Sequence, residues 1–78
     1  MKLAELLSIS GPTPLSELSS AQLKELQRAL NLLGYPVGDI DGLIGPKTRN
    51  AWAEFKTDEF PGNPSLIGKE SIATLQEK

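Results

Sequence analysis

The 78-residue chain contains neither cysteine nor histidine. Without cysteine there is no disulfide staple and no thiolate metal site, and the redox compartment stays open. Without histidine the commonest general base, the commonest zinc ligand and every histidine-dependent triad are missing, so an independent hydrolase would rest on carboxylates alone. Eight basic residues against ten acidic ones give a net charge of -2. That balance lacks the basic excess of a nucleic-acid binder. Long apolar runs are missing as well: the start, "MKLAELLSIS", carries an acid at Glu5 and has no stretch long enough for a signal peptide or a membrane span. If the protein works outside the cytoplasm, its export signal is expected elsewhere or already removed. A chain this short buries about 60% of its unfolded surface, enough for one small core and no separate catalytic domain.

Hydrophobic spacing predicts three helices and an N-terminal extension. Leu3, Leu6 and Leu7 have helical spacing, and the helix they imply ends before "SGPTP", where Gly11, Pro12 and Pro14 disfavour continuation. Residues 1 to 18 read as a lid, with a disordered tag as the alternative. In "SSAQLKELQRALNLLGY", Ser19 followed by Gln22 fits a capping box, and Gly34 fits a left-handed C-cap. Leu23, Leu26, Leu30 and Leu33 fall within about 80° at 100° per residue, a core stripe. Leu32 points away from it and is expected to meet the N-terminal segment. Pro46 at a first helical position starts "PKTRNAWAEFK", with Thr48, Ala51, Trp52 and Phe55 as its buried face. "TDEFPGNP" reads as loop, and "GKESIATLQEK" as a short last helix with Ile72 and Leu75 inward. Asn63-Pro64-Ser65 is no glycosylation acceptor, because proline occupies the excluded middle position.

An internal similarity links the last two helices. Leu43-Ile44-Gly45 recurs as Leu66-Ile67-Gly68, with Thr48 matched by Ser71 and Trp52 by Leu75. Two helix starts on one plan imply an all-α, small three-helix bundle with pseudo-symmetric second and third helices, plus a short N-terminal helical extension.

The connection "GDIDGLIGPKT" superficially offers calcium or phosphate chemistry. Placing Gly42 sixth in a calcium loop puts Asp39 and Asp41 correctly, but Val37 and Thr48 then occupy the end-ligand positions. A phosphate loop fails because Pro46 intervenes between Gly45 and Lys47, removes a backbone donor, and follows no strand. A structural turn explains more: Asp41-Gly42 suits a bend with positive φ, Ile40 with Leu43 or Ile44 can plug the core, and Gly45-Pro46 starts the helix. No metal and no cofactor is expected.

"LKELQRALNLLGYPVGDIDGLIGPKTRNAWAEF" resembles the peptidoglycan-binding domain family. The resemblance lies in a Leu-Gln-x-x-Leu-x-x-Leu-Gly-Tyr helix end, an Asp-Gly-x-x-Gly-Pro-x-Thr turn and an Ala-x-x-x-Phe helix. It is close over residues 20 to 56 and weak over 57 to 77. Lys56 stands where the family usually has Gln, and "NPSLIGKES" replaces a second Asp-Gly and Gly-Pro. The resemblance implies a peptidoglycan-binding-like domain over 19–78 behind the 1–18 extension, acting as a non-catalytic module of bacterial cell-wall enzymes and phage lysins. It implies peptidoglycan as partner, through glycan or stem peptide, and a linked catalytic domain. A monomer at the cell wall or in the periplasm is expected, with no nucleic-acid or membrane partner.

For such a ligand the candidate residues are Tyr35, Asp39, Asp41, Arg49 and Asn50. Tyr35 follows the capping glycine with its polar end free to reach outward, although its ring can equally close the cap. Asp39 and Asp41 can accept from sugar hydroxyls or peptide amides, with Asp41 also suited to bonding its own turn. Arg49 could meet a stem-peptide carboxylate near the positive helix end, with a solvated arginine as the plain alternative. Asn50 is a weaker candidate of the same kind. Three rivals remain: a protein-interaction or pro-segment module of the same fold, a helix-turn-helix DNA binder with too long a turn and too few cations, and an enzyme built on Glu54, Asp58 and Glu59.

Overall fold

The computed structural model describes residues 3–9, 11–59 and 66–77. Its three α-helices are α1 (Ser20–Leu32), α2 (Pro46–Glu59) and α3 (Lys69–Gln76). The Ser19 hydroxyl accepts from the Gln22 N–H at 3.2 Å while the Gln22 side chain accepts from the Ser19 N–H at 2.8 Å, which satisfies two donors that a helix start leaves orphaned. At its other end α1 stops in a left-handed glycine: Gly34 has φ +91°, its N–H donates to the Asn31 carbonyl, and Tyr35 N–H donates to the Leu30 carbonyl. These two bonds make a Schellman cap, so Tyr35 begins the next segment in a fixed direction.

Leu23, Leu26 and Leu30 are buried as their stripe requires, and Leu33 packs against the edge of the core. Thr48, Ala51, Trp52 and Phe55 fill it from α2, and Ile72 and Leu75 from α3. Trp52 stacks on Phe55 at 5.2 Å, and its indole N–H donates to the Leu66 carbonyl at 3.1 Å. The amphipathic indole is thus wholly buried with its one polar atom satisfied. Lys56 ends at that same carbonyl, 3.4 Å away, over the Trp52 ring. Burial lowers its pKa.

The N-terminal segment is structural. Leu3, Leu6, Ile9, Leu15 and Leu18 join the same core cluster as the helices. Thr13–Pro14 (β1) pairs antiparallel with Leu66–Ile67 (β2), a two-residue ladder that the all-helical expectation did not contain. Pro12 and Pro14 exclude a helix here, and extended backbone can then donate and accept across to the residues leading into α3. Leu6–Ser8 forms a single 3-10 turn instead of an α-helix, so Leu7 faces solvent while Leu6 is buried. The segment crosses the first half of α1: Leu6 N–H donates to Glu25 Oε1 at 3.2 Å, and the Gln22 amide reaches Ser8 Oγ at 2.9 Å. Leu32, at the far end of α1, therefore does not meet it and is 71% exposed.

Two loop expectations also change. Helix α2 runs on through Thr57, Asp58 and Glu59, supported by the Thr57 hydroxyl on the Ala53 carbonyl and by Asp58 accepting from Tyr35. The rest of "TDEFPGNP", together with the Asn63-Pro64-Ser65 triplet, lies outside the described residues. Of Ile40, Leu43 and Ile44 in the first bend, Ile44 alone packs on the core; Ile40 and Leu43 are exposed. Among the described residues, no helix is long and apolar enough to cross a membrane.

Candidate functional site

The connection from Gly34 to Gly45 has no regular secondary structure, and several of its backbone groups are satisfied from α1. Asn31 and Gln27, one helical turn apart, do this with two side-chain amides. Asn31 Oδ1 accepts from Val37 N–H at 2.9 Å, and its Nδ2 donates to the Gly38 carbonyl at 3.2 Å. Gln27 Oε1 accepts from Gly42 N–H at 3.0 Å. Its Nε2 faces three acceptors: the Leu43 carbonyl at 3.0 Å, Thr48 Oγ1 at 3.1 Å and Asp41 Oδ1 at 3.2 Å. Gln27 is only 1% exposed, so these bonds form where water cannot replace them. One side chain thereby fixes the loop and the first turn of α2 relative to α1.

Glycine is required at two of the bends. Gly42 has φ +73°, and a Cβ built on it would lie 3.0 Å from the Ser20 carbonyl oxygen and 3.2 Å from Lys24 Cγ. The loop can approach α1 this closely only without a side chain. Gly38 has φ +77°, and the Lys47 chain lies across it, with Cδ 3.2 Å from the same kind of built position.

This arrangement leaves a surface groove of about 420 Å³ between the loop and the start of α2. Val37, Leu43 and Pro46 supply apolar surface, Asp39, Asp41 and Lys47 supply charge, and Gln27 and Thr48 close the base. Asp41 also caps its own turn, accepting from Leu43 N–H at 2.9 Å. That bond, followed by the one from Gln27, holds its carboxyl below the usual range.

The sequence-selected residues do not converge on one place. Asp39 and Asp41 line the groove. Asn50 lies on the outer face of α2, in a shallow depression of about 570 Å³ with Ala53, Glu54, Thr57 and Asp58. Arg49 is exposed on α2 and lines neither feature. The polar end of Tyr35 is not free: its ring meets Phe55 edge-on at 5.9 Å, and its hydroxyl donates to Asp58 Oδ2 at 3.0 Å. Burial first, and then the Asp58 bond, raise its pKa. Sequence reading missed Gln27, Asn31 and Lys47. For Gln27 the signal was weak, since it falls about 40° beyond Leu23 on the helical wheel, next to the leucine stripe but outside it.

A family model for the peptidoglycan binding domain matches residues 19–59, which hold α1, the stapled loop, the groove and α2. The chain belongs to the peptidoglycan binding domain family. The match takes in every residue that lines the groove. It stops before β2 and α3, the region where the Asp-Gly and Gly-Pro pattern is lost. No solved structure matches the chain significantly.

Proposed function

We propose that this chain is a non-catalytic module that binds peptidoglycan through the loop-α2 groove and holds an attached or associated cell-wall enzyme on its substrate, outside the cytoplasm. The observation that carries this reading is the coincidence of the family match with a groove bearing both signs of charge beside apolar surface. Peptidoglycan presents amides, carboxylates and hydroxyls along a polymer. A concave site with a few placed polar groups suits such a ligand. Tethering is the physical benefit, since a linked enzyme experiences effective concentrations that reach about millimolar for short flexible linkers. Modest affinity therefore suffices. Asp39 and Asp41 are the acceptors in this reading and Lys47 is the cation, while Arg49 and Asn50 lie outside the groove and take no part in the contact.

Two further parts of the reading concern organisation. We take residues 1–18 as an extension that braces the 19–78 domain, and the starts of α2 and α3 as pseudo-symmetric. In support, Thr48 and Ser71 are both buried in the first turn of their helices, and Trp52 and Leu75 are both fully buried one turn later.

Co-sedimentation with purified sacculi tests the function. The folded domain should pellet with sacculi at low and moderate salt and release no soluble fragments from them. Retention in the supernatant under both conditions removes the basis of the proposal.

A further inference from the structure

The groove also bears on which part of peptidoglycan it receives. We infer that it takes the peptide arm, gripping a short segment with a free amine and a free carboxylate between Asp39 or Asp41 and Lys47, and that it does not take the glycan strand. This inference rests on the proposal that the groove is the wall-contacting surface.

Two observations carry it. First, among the described residues no aromatic ring lines the groove. A sugar offers a flat face of C–H bonds, and a receptor for it needs a comparably flat shelf. Trp52 and Phe55 are fully buried in the core. Tyr35 is packed edge-on against Phe55 with its hydroxyl engaged by Asp58, and it lines a different hollow of about 100 Å³ with Leu33 and Glu59. What the groove offers instead is branched or compact apolar surface from Leu43 and Pro46 over a buried Val37, suited to alanine methyls.

Second, the charges are of both signs and stand in one concavity. Asp39, Asp41 and Lys47 are all exposed there. Asp41 Oδ1 already carries both bonds of the turn, which leaves Oδ2 as the oxygen for a ligand ammonium. The Lys47 chain lies across Gly38, where a side chain would displace it, and this limits its range. An uncrosslinked stem peptide carries free carboxylates and, on its diamino acid, a free amine. A peptide-free glycan strand carries neither as a matched pair. Charge-assisted bonds to both ends are shorter and stronger than neutral ones and favour the peptide.

The test is a titration of the intact 78-residue chain, followed by amide chemical shifts, with three probes: a sugar-free stem peptide, the same peptide acetylated at its amine and amidated at its carboxylates, and a peptide-free glycan strand. The unmodified peptide should shift residues 37–48, and the blocked peptide should bind roughly ten- to a hundredfold more weakly. Lys47→Glu and Asp39→Lys, each checked for folding by Trp52 fluorescence, should weaken the unmodified peptide similarly. Groove shifts from the glycan strand, equal binding of the blocked peptide, or sacculus binding without any response to the peptide would each overturn the inference while leaving wall binding intact. Failure to bind intact sacculi as well would sink the underlying reading.

Discussion

Replacing Leu6 by alanine should remove a large part of this protein's stability, whereas the same change at the adjacent Leu7 should do almost nothing. Leu6 is 0% exposed within the cluster that contains α1, α2 and α3 residues, and Leu7 is 56% exposed. Truncating a fully buried leucine costs about 2–5 kcal/mol, the lost transfer energy plus an incompletely collapsed cavity. A chain of this size has a total stability on the order of 4–12 kcal/mol, so the loss is a large part of the whole. It corresponds to a fall in Tm of roughly 8–40 °C. Leu7→Ala should stay within about 0.5 kcal/mol, as surface changes do. Both residues sit in one 3-10 turn, so helix propensity and chain entropy cannot account for a difference. Urea unfolding followed by the fluorescence of the single, buried Trp52 measures it. Equal effects of the two substitutions would refute the claim that the N-terminal segment is part of the core.

Further substitutions test the stapled loop. Gln27→Ala should cost about 2–4 kcal/mol, because it leaves the Gly42 N–H and Thr48 hydroxyl without their partner and opens a cavity; a loss below about 1 kcal/mol in chemical denaturation contradicts the network. Gly42→Ala should destabilise by more than about 2 kcal/mol through both the positive φ and the approach of Ser20, while Gly11→Ala, with open space around it, should be nearly neutral. Similar melting curves for those two variants would count against the close approach. For Asp41, the folded-state pKa is depressed, so its contribution is present above the unfolded value of about 3.9 and is lost as pH falls through the lower folded value. The stability gap between wild type and Asp41→Asn should therefore shrink on acidification below about pH 4. A gap that stays constant from neutral pH to pH 2 would show that the carboxylate charge is not what the turn uses.

The helices were legible because periodicity, caps and proline positions agree: Ser19 with Gln22, Gly34, and Pro46 all act as their chemistry predicts. The buried face of α2 followed from spacing alone. Leu32 and Ile40 were misjudged for a shared reason, that apolarity was read as burial, although soluble proteins leave many apolar side chains at the surface. The β1–β2 ladder was invisible because a two-residue pairing between positions 13 and 67 has no period to detect. Asp39 and Asp41 were found as a local motif. Lys47 was not, because its relation to Gly38 is created by the loop path, which depends on the amides of Gln27 and Asn31. Gln27 lies just outside the leucine stripe and Asn31 is exposed, so neither had a hydrophobic period to mark it.

The central claim, that the groove between the stapled loop and α2 contacts peptidoglycan, is tested most directly by mapping amide chemical shifts with soluble peptidoglycan fragments. Perturbations should concentrate at residues 37–48 and leave the outer face of α2 around Glu54 and Thr57 unaffected. Perturbations confined to that outer face, or none at all at millimolar fragment, would contradict it.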